Sequence, residues 1–221
     1  MECTPTFLRA RRPEHKQQRY DAIRAAAREL ALERGVRSVS LGDIATAVGV
    51  HKSAILRYFE TREEIYLSLG ADAWSEWSRA VHAEFEGVVD ASPRLLADVL
   101  SRTLAERPLL CDLLTQAPLN LERHVSKSAV RSFKVTVLDG VEELGALVGR
   151  VVPGFGPERG FEVIAAVACL AASIWQVSRP SGVLADLYAE EPELARACPE
   201  FVPTIHRFTL VYVTGLLATA E

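Results

Sequence analysis

Lys52, Ser53 and Arg57 stand in one short run, KSAILRYF, whose apolar members Ile55 and Phe59 are four residues apart. Side chains four apart share a face of a helix. If the run is helical, Ile55 and Phe59 point inward together, and Lys52, Ser53, Leu56 and Arg57 are left on the outer face. Lysine and arginine carry donors for phosphate oxygens and for guanine O6 and N7, a serine hydroxyl donates or accepts, and alanine or leucine methyls can meet a thymine methyl. With Ala54 between them, these residues could read a duplex through its major groove. Covalent chemistry finds no comparable set: there is no G-x-S-x-G, no H-E-x-x-H, no phosphate-binding loop and no paired His/Cys nucleophile. An enzyme is therefore the least expected reading, and no cofactor is expected. Cys3, Cys111, Cys169 and Cys198 are too scattered for a zinc site or a disulfide framework, and His51 alone is a poor metal ligand.

The elements that must position this run are written just before it. Ser40, with Asp43 three residues on, has the spacing at which a hydroxyl and a carboxylate satisfy orphan N–H groups at a helix start. Ile44, Ala45 and Val48 form one apolar face of the helix so begun, Gly49 suits its left-handed end, and Val50 can plug the corner. A second short helix is expected from about Lys52 to Phe59. Residues 41–59 thus read as a helix-turn-helix. Thr61 and Glu64 form a second capping box in front of a longer helix.

From Arg19 to Tyr66 the chain resembles the DNA-binding head of the tetracycline repressor (TetR) family of bacterial regulators. AIRAAARELALERG, VSLGDIATAVGV, KSAILRYF and TREEIYLSL match in order and spacing. The resemblance implies base contacts from Lys52 and Ser53 and phosphate contacts from Tyr58 and Arg62. Against these stand packing of Tyr58 on the first helix and a purely electrostatic role for Arg62. Ser40 caps a helix whatever else it does and can add a phosphate contact, and His51 reads as a cap or a phosphate contact. Two positions depart from the family: Leu56 stands where a tyrosine is usual, and Gly42 stands where some members project a long side chain. Specificity should then depend on Lys52, Ser53, Ala54 and Arg57.

Charge is divided to suit this reading. The 221 residues carry a net −4, yet residues 1–70 hold 12 Lys+Arg against 9 Asp+Glu, and the remainder 13 against 20. A basic head on an acidic body favours phosphate contact at one end only. Arg9, Arg11, Arg12 and Lys16 read as a solvated tail or as extra phosphate or minor-groove contacts. The amino terminus shows no apolar secretory core, and the uncharged run Val163–Trp175 falls short of the roughly 20 apolar residues of a membrane span. A cytoplasmic protein with no membrane partner is expected.

The fold class expected is all-α, with about nine to ten helices: a helix-turn-helix domain over residues 16–62 and a larger helical effector-binding and dimerisation domain over 63–221. Helices are expected at Arg62–Glu86, Pro93–Glu106, Pro108–Thr115, Leu119–Arg150, Glu158–Val177 and Pro203–Ala220, with a Pro-interrupted connection over 180–199. The last two helices have apolar residues nearly all round. Phe161, Val163, Val167, Leu170 and Ile174 on one, and Ile205, Phe208, Tyr212 and Leu216 on the other, are candidates for a homodimer interface; in the resembled family such a pair packs on its copy as four helices. Trp74, Trp77, Phe85, Phe133 and Trp175 offer aromatic walls for an effector pocket or are plain core. Asn120, His124 and Ser128, four apart, would make a polar seam inside the body. The function expected is a homodimer on a palindromic operator, released by an unknown small molecule. The alternative is a DNA-binding architectural or protein-interaction factor with no effector.

Overall fold

The computed structural model describes residues 11–219, with side chains from His15 onward. Among them are ten α-helices and no strand: α1 Arg11–Arg34, α2 Leu41–Val48, α3 Lys52–Ile55, α4 Arg62–Glu84, α5 Pro93–Ala105, α6 Pro108–Gln116, α7 Lys127–Val151, α8 Pro157–Val177, α9 Val183–Glu190 and α10 Phe201–Ala218. The all-α expectation is met. Of the basic cluster near the start, Arg9 and the side chains of Arg11 and Arg12 lie outside the described residues, and Lys16 is exposed on α1.

Helices α1 to α3 form the head and α5 to α10 the body, and α4 belongs to both. Near its start Ile65 and Tyr66 are buried in the head, and further on Trp74 and Trp77 are buried in the body. A ladder fixes α1 along it. Arg24 and Arg28, one turn apart, meet Asp72 and Glu76, also one turn apart; Arg28 binds Glu76 bidentately at 2.9 and 2.8 Å. The Arg28 hydrogen bonds hold the Glu76 carboxyl below the usual carboxylate range. One apolar core runs unbroken from Ile23 in the head to Val213 in the last helix.

Helix α7 starts at Lys127, eight residues after the expected Leu119. Pro118 has no N–H to donate back into α6, and the chain widens there into a five-residue π-turn, Ala117–Leu121. A new start follows at Ser126, whose hydroxyl accepts the Ala129 amide at 3.2 Å. The expected polar seam is lost with this change: Asn120 sits in the π-turn, bonded to Gln116 at 2.7 Å, His124 in the following turn and Ser128 at the start of α7, all three exposed. Helices α7 and α8 cross with backbones touching, since a Cβ on Gly160 would lie 1.9 Å from the Gly145 carbonyl oxygen. The 180–199 connection is also more ordered than its prolines suggest, for it contains α9 and a short 3-10 turn, neither with a buried residue.

By length and composition alone α8 and α10 could each cross a membrane. The uncharged run of α8 is short, but the helix is 21 residues long. Each lays one face on the body and leaves the other uncovered. On α8 the inward face is Val163, Ile164, Val167, Ala171 and Ile174; on α10 it is Thr204, Ile205, Thr209 and Val213. Four of the nine interface candidates, Val163, Val167, Ile174 and Ile205, are therefore core of the protomer. A helix apolar all round does not reveal from its pattern which stripe turns inward. Phe161 and Phe208 are exposed, and Leu170, Tyr212 and Leu216 half-exposed.

Candidate nucleic-acid interface

The outer face of the head is built from caps inward. The Ser40 hydroxyl accepts the Asp43 amide at 3.2 Å, and the Asp43 carboxylate accepts the Ser40 amide at 2.7 Å and its hydroxyl at 2.6 Å. These bonds, led by that from the Ser40 hydroxyl, hold the Asp43 carboxyl below its usual range. At the other end of α2, Gly49 is left-handed (φ 70°, ψ 36°), and the Val50 amide reaches back to the Ala45 carbonyl at 3.0 Å. The box before α4 is divided: Thr61 accepts the Glu64 amide at 3.1 Å, but the Glu64 carboxylate takes the Glu60 amide, at 2.6 Å.

Helix α3 is regular only from Lys52 to Ile55 and unwinds into a turn before the expected end at Phe59. Ile55 and Phe59 are buried, with Phe59 stacked on Tyr20 of α1 at 4.6 Å. His51, Lys52, Ser53, Leu56 and Arg57 are exposed and Ala54 is half-buried. His51 is the cap: its Nδ1 accepts the Ser53 amide at 3.3 Å and lies 2.9 Å from the Ser53 hydroxyl. An Nδ1 that accepts the amide must also accept the hydroxyl, which places the ring proton on Nε2. In that state His51 offers an outward N–H donor suited to a phosphate. Ser53, its proton engaged, offers an acceptor suited to the exocyclic amine of adenine or cytosine.

Of the two expected phosphate contacts beyond the helix, one is partly covered and the other has other work. Tyr58 is half-buried against the core, and Arg62 is turned inward. The Arg62 guanidinium donates to the Val36 and Val39 carbonyls, pairs with Glu63 at 2.9 Å and lies over the Tyr66 ring at 4.8 Å. It fastens the turn before α2 to α4. A bound phosphate would have to compete for donors already spent. The body fastens the same turn, for Asp112 of α6 accepts the Val36 amide at 2.6 Å. Arg62 and Asp112 are recognisable only in the fold, since their targets are backbone atoms distant in sequence.

The effector candidates do not line one pocket. Trp74 and Trp77 are buried edge to face at 5.2 Å, and Trp77 donates to the Thr103 hydroxyl at 3.0 Å. The Trp74 indole N–H and the Ser78 hydroxyl, one turn apart on α4, are buried with no partner among the described residues. Trp74 presses on α7 so closely that a Cβ on Gly140 would meet its Nε1 at 2.0 Å. Phe85 borders a cleft of about 450 Å³ with His82, Leu147 and Arg150. Phe133 of α7 faces the head beside Tyr58, in a cleft of about 180 Å³. Asn120 and His124 share one of about 250 Å³ with Arg37 and Arg62, and Trp175 borders another, of about 370 Å³, where head meets body.

Comparison with known proteins agrees with this geometry. The fold is similar to that of the multidrug binding protein EbrR in complex with imidazole (21% identity, 82% of this chain and 96% of that one, TM-score 0.55). It is also similar to Thermus thermophilus FadR, a TetR-family transcriptional repressor in complex with lauroyl-CoA (18%, 91% and 94%, TM-score 0.54), and to a transcriptional regulator from Rhodococcus sp. Rha1 (15%, 87% and 94%, TM-score 0.53). At these identities the likeness is one of fold. No curated protein matches the chain in sequence. Residues 23–69 match the model of bacterial regulatory proteins of the tetR family, and residues 71–220 that of the tetracyclin repressor-like C-terminal domain. With head and body both matched in order, the chain belongs to the TetR family of transcriptional regulators.

Proposed function

We propose that the protein is a homodimeric transcriptional repressor of the cytoplasm, which places two α3 helices in successive major grooves of a palindromic operator and is released by a small molecule bound in the body. The observation that carries this reading is the outer face of α3. His51, Lys52, Ser53 and Arg57 are exposed on α3, its cap and the turn that follows, while Ile55 and Phe59 on the inner side are sealed in the head. Base reading falls to Lys52, Ser53, Ala54, Leu56 and Arg57, and phosphate contact to Ser40, His51 and Tyr58. The uncovered faces of α8 and α10, with Phe161, Leu170, Phe208, Tyr212 and Leu216, supply the dimer contact. Two heads are needed to reach half-sites about 34 Å apart.

The unpartnered Trp74 N–H and Ser78 hydroxyl support an effector with hydrogen-bonding groups, because buried polar atoms without partners cost free energy that a ligand could recover. Trp77, packed edge to face on Trp74, would border it on α4. The closed packing of Trp74 on Gly140 favours the second reading, a DNA-binding factor of this fold with no effector. Selection from random duplexes tests the shared part. A two-fold-related site should be enriched, with affinity falling steeply as salt rises, and enrichment of asymmetric or unrelated sequences would reject it. Release of the selected duplex by small molecules from cell extract, with a change in Trp74 and Trp77 fluorescence, separates the two readings.

A further inference from the structure

The cleft of about 370 Å³ between head and body is walled by the end of α1 and the turn after it on one side, and by α6 and the end of α8 on the other. Its volume falls within the range of small-molecule sites, about 300 to 1,000 Å³. Most arginines nearby are engaged: Arg24 by Asp72, Arg28 by Glu76, Arg62 by backbone carbonyls, and Arg34 by Glu33 at 3.4 Å. Arg37 of the head and Arg179 of the body differ. Among the described residues neither makes an ion pair or a side-chain hydrogen bond.

Arg179 is nevertheless held in place. Its guanidinium carbon lies 3.7 Å from the centroid of the Trp175 ring, and Trp175 is braced edge-on by Phe201 at 5.0 Å. Stacking of this kind fixes the guanidinium plane and leaves its N–H fork free. The acid on the same wall, Asp112, takes neutral donors, the Val36 amide at 2.6 Å and the Gln176 amide at 3.4 Å. Leu32, Pro108 and Leu109 add apolar surface.

We propose that this cleft binds a small organic anion, a carboxylate or phosphate monoester with a compact apolar group, between Arg37 of the head and Arg179 of the body. The fork of each arginine matches either oxyanion, and the apolar wall takes the rest of the molecule. This site is separate from the α4–α7 layer proposed for the effector. An anion here ties the two domains together beside the Asp112–Val36 contact, so its binding is coupled to that of DNA, and the coupling acts equally in both directions. Only this coupling rests on the DNA-binding reading.

Calorimetry of the full chain at low salt, with phenyl phosphate, benzoate and neutral benzyl alcohol as probes, tests the site. One saturable site per chain is expected for an anion and none for the alcohol, and the tighter of the two anions identifies the oxyanion preferred. Arg37→Ala, at an exposed position, and Arg179→Lys, which keeps charge but removes the fork, should each weaken binding by roughly tenfold or more. Lys52→Ala and Arg57→Ala should leave it unchanged. No saturable heat from either anion, equal binding of the alcohol, or loss in the Lys52 and Arg57 variants instead would overturn the proposal. In the presence of the selected duplex the anion's affinity should shift by the same factor by which the anion shifts duplex affinity; no shift in either direction overturns the coupling. Failure to select any duplex, with anion binding intact, would reject the DNA reading and leave the site standing.

Discussion

The outer face of the head and the uncovered face of α8 and α10 both meet solvent, but they are made in opposite ways. On the head, polar side chains project from a helix held by His51 and by the buried Ile55 and Phe59. On the body, apolar side chains such as Phe208 and Val211 remain exposed although a full core lies behind them. The first arrangement suits a polyanionic partner that arrives and leaves, because its residues are well solvated alone. The second suits a partner that stays, since contiguous exposed apolar surface gains most from permanent cover. The proposed regulator, a dimer that binds and leaves DNA, needs both.

The sharpest way to break this comparison is to put the same charge on the two faces of the body. Val167 is 0% exposed and Phe208 39% exposed. Val167→Glu should cost about 3 to 5 kcal/mol, a large share of a domain's stability, and unfold the body. Phe208→Glu should keep its helix content and separate the protomers. Circular dichroism and sedimentation read the two effects apart, and a folded monomer from Val167→Glu would show that the inward face has been misassigned. The sequence displayed both stripes but not their direction, because that is set by what α5, α6 and α7 present to α8 and α10. The same limit scattered the effector candidates: Trp74, Phe85, Phe133 and Trp175 look alike as aromatic residues in helices, yet the fold sends them to four different places.

Within the head the comparison becomes one between two cations, exposed Lys52 and inward Arg62. Lys52→Ala should leave stability within about 0.5 kcal/mol, weaken the preferred duplex by about 1 to 3 kcal/mol and relax discrimination at one position in each half-site. Arg62→Ala removes donors from the Val36 and Val39 carbonyls. It should lower the stability of the head by about 1 to 3 kcal/mol, with weaker binding to every duplex as a consequence of that loss. Thermal melts and titration against single-base operator variants check both. A uniform loss of duplex binding in Arg62→Ala at unchanged stability would return it to the DNA face as a phosphate contact. Lys52 was legible because local spacing fixes the exposed side of a short helix; the inward turn of Arg62 depends on a turn 23 to 26 residues away.

The smallest effect tests why the head was so legible at all. Its signals were caps, and a cap acts between residues two to four apart, so sequence and structure carry nearly the same information there. Ser40→Ala removes the acceptor for the Asp43 amide and the donor to the Asp43 carboxylate, and should cost about 1 kcal/mol. It should also change the response to acid. The folded Asp43 carboxyl is held below its unfolded range chiefly by the Ser40 hydroxyl. Its contribution is therefore fully present above the unfolded value, about 3.9, and is lost as pH falls through the lower folded value. Without the hydroxyl the folded value rises toward the unfolded one, and the difference in stability between Ser40→Ala and the native chain should be constant near neutrality and shrink as pH falls through that window. Melts of both proteins across that range measure it. A difference that stayed constant into strong acid would mean that the hydroxyl acts on the Asp43 amide alone and contributes nothing through the carboxylate.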